Sequence, residues 1–153
     1  MKALHDFTFA GITTRVVFGR GTLASTGEEL ARLRSHLEEI ERLIDAAESA
    51  RDKALIELLY GAGLRVSELV SLPLRTAPRP GQDHMIIEGK GGKERLVALG
   101  GPALAALSAH LEVRAASLPK VEAQREKAQR WLFPSASAAD GKLTRRRVAQ
   151  ILE

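Results

Sequence analysis

Two glycine clusters constrain this chain more than any other feature. Gly61 and Gly63 interrupt an apolar helical pattern, and Gly89, Gly91 and Gly92 sit between two short apolar runs. Glycine is disfavoured inside helices and strands and is favoured where the backbone must turn, so each cluster marks a turn. The first ends a helix over residues 51–61. Ala54, Leu55, Leu58 and Leu59 face a core on that helix, while Arg51, Asp52, Lys53 and Glu57 stay in water. The second is the tip of a β-hairpin between Met85-Ile86-Ile87 and Leu96-Val97-Ala98-Leu99. A cation accompanies each turn. Arg65 opens a short helix, Arg65–Leu72, that Pro73 stops, and Lys90 stands 25 residues further on, between Gly89 and Gly91.

Arginine offers a planar bidentate contact, and lysine a point charge or a proton, so two such cations on a compact scaffold suit a phosphate. Arg65 has Ser67 and Glu68 in the first turn of its helix, and a helix N-terminus is a natural phosphate site. The plainer reading is a solvated or salt-bridged arginine. A lysine held at a hairpin tip reaches a DNA backbone or minor groove; the plainer reading is an ordinary charged turn. Gly89–Lys93 is not a P-loop, because the spacing differs and no Gly-Lys-Ser/Thr opens a helix.

The rest of the chain reads as short elements. Residues 6–10 and 15–19, rich in Phe, Thr and Val, form two strands around a Gly11 turn. Thr26 and Glu29 have capping-box spacing and open a helix through Arg34, with Leu30 and Leu33 on its apolar face. Leu37, Ile40, Leu43, Ile44 and Ala47 give a second amphipathic helix over residues 36–48. Pro102 sits at the first turn of an Ala/Leu-rich helix over 103–117. Lys120–Arg130 is a polar, exposed helix, and Trp131-Leu132-Phe133-Pro134 is a strand or docking segment. Thr144 caps a last helix that carries Arg145, Arg146 and Arg147 and leaves Val148, Ile151 and Leu152 seeking a partner.

Charge is unevenly spread. Residues 36–74 hold four Arg/Lys against eight Asp/Glu, and residues 75–153 hold fourteen against eight, a local net of −4 followed by +6. A basic half suits a polyanion, since phosphate neutralisation releases counterions, and equally describes a soluble basic surface. No run is long enough to span a bilayer, and Met1–Asp6 has no apolar signal core. The absence of cysteine excludes disulfides and thiolate metal sites and fits a cytoplasmic location. No cofactor or metal motif is found.

The run from Arg51 through Gly61-Ala-Gly-Leu-Arg-Val-Ser-Glu-Leu69, the Gly89–Val97 hairpin, Trp131–Pro134 and Leu143-Thr144-Arg145 together resemble the first part of a tyrosine recombinase catalytic domain of the XerC/XerD type, over residues 36–153. The resemblance implies an α+β fold, mostly helical, with a small antiparallel hairpin. It implies double-stranded DNA as partner and phosphodiester breaking and rejoining as chemistry. The arginine matching Arg65 binds the scissile phosphate, and the lysine matching Lys90 acts as general acid. Lys93, Arg95, Arg145, Arg146 and Arg147 are the expected further DNA contacts. The family also needs a His-x-x-Arg motif, a further His or Trp and a tyrosine nucleophile. His5, His36, His84 and His110 are followed three residues on by Thr8, Glu39, Ile87 and Val113. The single tyrosine, Tyr60, lies on an apolar helix before Arg65 and is expected in the core. The expectation is a C-terminally truncated catalytic domain that does not recombine DNA alone and associates with itself or with a full-length recombinase. A non-enzymatic DNA-binding module is the alternative.

Phe7–Gly11, Arg15–Leu23 and Glu28–Ala31 resemble instead the start of maleylacetate reductases, relatives of iron-containing alcohol dehydrogenases, over about the first 34 residues. That match includes neither nucleotide-binding glycines nor metal ligands. It implies a chimera joined near Ser35, with an N-terminal β arm and helix over 1–35, and leaves an oxidoreductase fragment as a third reading. A chance strand pair is the alternative explanation of the arm.

Overall fold

A computed structural model describes residues 7–10, 15–18, 26–89 and 91–152. The chain forms two compact units, Met1–Arg42 and Leu43–Glu153.

In the first unit, β1 (Phe7–Ala10) pairs antiparallel with β2 (Arg15–Phe18), with Phe7 opposite Phe18 and Ala10 opposite Arg15. This is the expected strand pair. Helix α1 runs unbroken from Thr26 to Ala46, 21 residues, past the end of this unit at Arg42, where two helices were expected. Neither Gly nor Pro lies between Arg34 and Leu37, so nothing breaks it. The leucines of the expected apolar faces stand exposed: Leu30, Leu33 and Leu37 are 61%, 56% and 61% exposed.

In the second unit, Ser49 caps α2 (Ala50–Ile56), its Oγ accepting the Asp52 N–H at 3.0 Å. The helix then widens into a π turn, Glu57–Gly61. This corrects the expected position of Tyr60. A π turn carries an extra residue, so Leu58 and Leu59 stay buried while Tyr60 is rotated outward and is 41% exposed. Arg51, Asp52 and Glu57, expected in water, are partly buried; Arg51 and Asp52 pair at 2.9 Å.

Helix α3 (Val66–Leu69) follows, then a 3-10 turn at Leu74–Thr76. Strands β3 (His84–Glu88) and β4 (Glu94–Ala98) form the expected hairpin, with Met85 opposite Val97 and Ile87 opposite Arg95. Met85, Ile87 and Val97 point inward and Ile86 and Leu96 outward, the alternation of a half-covered sheet. Helix α4 (Gly101–Val113) begins with Pro102 in its first turn, packs along α2, and tightens into a 3-10 turn at Arg114–Ser117. Helix α5 (Glu122–Ala128) is the polar element expected near there.

Leu55, Leu58, Leu69, Met85, Ile87, Leu107, Leu132 and Phe133 make the centre of the core, each at most 1% exposed. Each such side chain contributes about 1.5–3 kcal/mol by leaving water. The Trp131–Pro134 segment docks through its backbone: Leu132 N–H donates to Leu72 at 2.8 Å, and Leu74 N–H donates to Arg130 at 2.7 Å. Thr144 caps α6 (Arg145–Ile151), accepting the Arg147 N–H at 3.2 Å. The apolar side of α6 is not left open as expected. Val148 is 1% exposed, and Ile151 and Leu152 are partly buried against the core.

Candidate phosphate-binding site

The π turn sets up the site. Gly61 ends it, and Gly63 adopts a left-handed φ of +65° that a side chain would strain. Leu64 N–H then donates back to Leu58 at 3.1 Å, burying Leu64 and turning the next residue outward. That residue is Arg65, extended at φ −73° and ψ 147°, the N-cap of α3.

Glu68 organises what surrounds it. One oxygen, Oε2, accepts the Arg65 backbone N–H at 2.9 Å, satisfying a donor at the helix start. The other, Oε1, accepts Arg65 Nη1 at 3.1 Å. Oε2 also accepts Arg95 Nη2 at 2.9 Å, from β4. One carboxylate therefore fixes two guanidinium groups that lie 30 residues apart (95 minus 65). The Glu68 side chain is 9% exposed, whereas those of Arg65 and Arg95 are 72% and 43% exposed. The anion is enclosed and both cations face outward. Partial burial works to raise the Glu68 pKa. The Arg65 backbone bond and the contacts with Arg95 and the Arg65 side chain outweigh it and hold the carboxyl below the usual glutamate value. It is ionised at neutral pH. Sequence reading placed Glu68 in the first turn but gave it no role. The i, i+3 spacing from Arg65 was the available signal for half of it; the bond to Arg95 had none.

Arg65 and Arg95, both expected site residues, are thus brought together. Lys90 lies outside the described residues. Around it, Gly89 N–H donates to Lys93 at 2.8 Å, and Gly91 and Gly92 have left-handed φ of +78° and +71°. Lys93 is exposed beside them. An open groove of about 920 Å³ runs from Arg65 and Glu68 past Arg75 and Arg79 to His84 and Ile86. Arg75 and Arg79, to which sequence reading gave no role, add cations to its wall. Arg145, Arg146 and Arg147 are exposed on α6, which packs against α3.

Two further buried polar groups support the segment behind the site. His110 is fully buried, stacks on Phe133 at 4.8 Å between ring centroids, and meets the Leu132 carbonyl through Nε2 at 3.0 Å. A carbonyl only accepts, so Nε2 carries the proton, and Nδ1 has no partner among the described residues. Burial, ahead of the opposing bond to Leu132, holds the His110 pKa below its ordinary value. Arg114 is 7% exposed and donates to the carbonyls of Ala128, Gln129, Trp131 and Leu132.

An ionised Glu68 holding two outward guanidinium groups can grip an oxyanion and stabilise charge developing on it. Among the described residues it holds no group poised to attack. Tyr60 is exposed, yet no hydrogen bond links it to a base among the described residues.

Residues 34–153 match the phage integrase family. The chain is 50% identical over 123 residues to the tyrosine recombinase XerD of Caulobacter vibrioides, covering 76% of this chain and 38% of that protein. It is 38% identical over 133 residues to the tyrosine recombinase XerC of Erythrobacter litoralis, covering 81% of this chain and 38% of that protein. The crystal structure of XerA recombinase superposes with a TM-score of 0.58 at 22% identity, over 75% of this chain and 38% of that one, which shows a shared fold. The chain spans well under half the length of these relatives. It belongs to the phage integrase family, among the tyrosine recombinases.

Proposed function

We propose that this chain binds duplex DNA and carries the arginine-centred half of a site-specific recombination centre, without the attacking half. The supporting observation is the Glu68 carboxylate that holds Arg65 and Arg95 outward on α3 and β4. Arg65 grips the scissile phosphate and Lys90 serves as the proton donor to the leaving hydroxyl. Lys93, Arg95, Arg145, Arg146 and Arg147 contact the flanking backbone. The sequence holds neither a His-x-x-Arg motif nor a tyrosine after Arg65. Covalent transfer needs nucleophile, base and phosphate donors together, so this chain binds without cutting. It acts in the cytoplasm, alone or beside a full-length recombinase. Residues 1–35 have a separate origin, a reading that rests on the sequence pattern of Phe7–Gly11, Arg15–Leu23 and Glu28–Ala31.

Binding to a labelled duplex, titrated at several salt concentrations, tests this. Non-specific Kd is expected in the range of about 10⁻⁴–10⁻⁶ M. Arg65→Ala should weaken it, and replacing Arg145, Arg146 and Arg147 by Ala should flatten the salt slope. An unchanged slope excludes the α6 arginines as contacts. NAD(P) binding in place of DNA binding would favour the oxidoreductase reading.

A further inference from the structure

The groove beside Glu68 carries two cations that the cluster of Arg65, Glu68 and Arg95 does not use. Arg75 and Arg79 both line it, both are exposed, and neither guanidinium meets a carboxylate among the described residues. Free surface arginines are common, and the backbone beneath these two sets them apart. Arg75 is the middle residue of the 3-10 turn Leu74–Thr76. Thr76 closes that turn twice, its N–H donating to the Pro73 carbonyl at 3.0 Å and its Oγ1 at 2.7 Å. Arg79 opens a second turn, which ends at Gln82. Gln82 N–H donates to the Arg79 carbonyl at 2.9 Å, and Gln82 Oε1 accepts the Arg79 N–H at 3.0 Å. Pro80, and Gly81 with its left-handed φ of +84°, are the central residues that a type II turn favours. Both arginines project from backbone that is already fixed, which lowers the ordering cost of a contact.

We propose that Arg75 and Arg79 hold the sugar-phosphate backbone of duplex DNA beside the phosphate gripped by Arg65, so that the groove is the path of one strand. The proposal rests on the DNA-binding reading and adds two contacts to it. The carboxylates lining the groove are Glu68, Glu88 and Glu94. Glu68 is already committed to Arg65 and Arg95. Glu88 and Glu94 face each other across the hairpin, at the end of β3 remote from His84, about 13 Å along the strand. The lining residues that lie near the two arginines in the chain, Thr76, Ala77, Pro78, Gln82 and His84, bring no carboxylate. Asp83 does not line the groove, and its Oδ1 meets His84 Nδ1 at 3.1 Å. One strand of DNA carries a phosphate for about every 3.4 Å of axis, so a groove running the length of β3 faces about four of them. That length suits a polyanion rather than a single small anion. Contacts of this kind go to phosphates and carry no sequence information.

Titration of a labelled duplex over a salt series, with the whole chain and three double variants, tests the proposal. Each phosphate contact adds about 0.9 to the slope of log affinity against log salt, so Arg75→Gln with Arg79→Gln should lower the slope by about 1.8. The loss should be the same on two duplexes of unrelated sequence. Arg75→Lys with Arg79→Lys keeps both charges and should keep the slope of the parent. Lys120→Gln with Arg125→Gln removes two exposed cations that do not line the groove and should leave the slope unchanged. An unchanged slope in the Gln pair, where Arg65→Ala still weakens binding, overturns this proposal and leaves the DNA-binding reading standing. A parent chain that binds no duplex overturns both. A Lys pair that loses as much slope as the Gln pair traces the effect to the turns, and a Lys120 and Arg125 pair that does so traces it to net charge; either overturns the groove contact. A loss confined to one sequence overturns its assignment to phosphates.

Discussion

Replacing Arg114 by Met should loosen the Trp131–Pro134 segment while keeping most of the side chain's volume. Arg114 donates to four carbonyls, and two of those have other donors: Leu132 takes His110 Nε2 and Ala128 takes the Trp131 N–H. The carbonyls of Gln129 and Trp131 lose the donor that Arg114 supplied. An unmet buried polar group costs about 1–3 kcal/mol, and these two are part-buried, so about 2–6 kcal/mol is an upper bound for the pair. Burying a thioether in place of a guanidinium, and no longer desolvating a charge, offset part of that. A net loss of about 2–4 kcal/mol follows. With a urea slope of about 2 kcal/mol/M, the middle of the usual range, the midpoint should fall by about 1–2 M. Trp131 is the only tryptophan and lies in the affected segment, so its fluorescence reports the transition directly. Arg114→Lys keeps the charge but not the fork and should fall between the two. A midpoint for the Met variant within about 0.3 M of the parent, at unchanged slope, would show that the carbonyls find other donors and that the buried arginine does not hold the segment.

Two other outcomes follow from single positions. Gly141→Ala should cost about 2–5 kcal/mol in thermal or urea unfolding, because its φ is +74° and a Cβ would sit 2.5 Å from the Ala128 backbone nitrogen; a loss under about 1 kcal/mol would mean the turn can shift. Stability should decline as pH falls below about 6.5, since His110 is held neutral with a pKa below that ordinary value and the unfolded chain takes up the proton first. His110→Gln should remove that part of the slope, and an unchanged pH profile would assign it elsewhere.

The parts legible in sequence were those with local causes. Gly61, Gly63 and the Gly89–Gly92 cluster marked the two turns that shape the site, and Thr144 and Pro102 marked helix starts. Arg65 and Arg95 were legible as cations, but the carboxylate joining them was not, because Arg95 lies 27 residues from Glu68 and only the folded hairpin brings it near. Tyr60 was misplaced because apolar periodicity assumes a regular helix, and the π turn adds a residue just before it counts. The last helix was misread for a different reason. Whether Val148 is covered depends on the shared core of α3 and α6, which periodicity cannot report. His110 and Arg114 escaped notice because their partners are carbonyls of an irregular segment, whose need for donors has no side-chain signature.

The central claim is a phosphate grip without a nucleophile, and a nicked suicide duplex tests it most directly. Such a substrate traps any covalent protein–DNA intermediate, and mass spectrometry locates the linkage. The account predicts salt-sensitive binding, weakened by Arg65→Ala, with no adduct. An adduct on Tyr60, lost in Tyr60→Phe, would contradict it, since the exposed π-turn tyrosine would then be the attacking group.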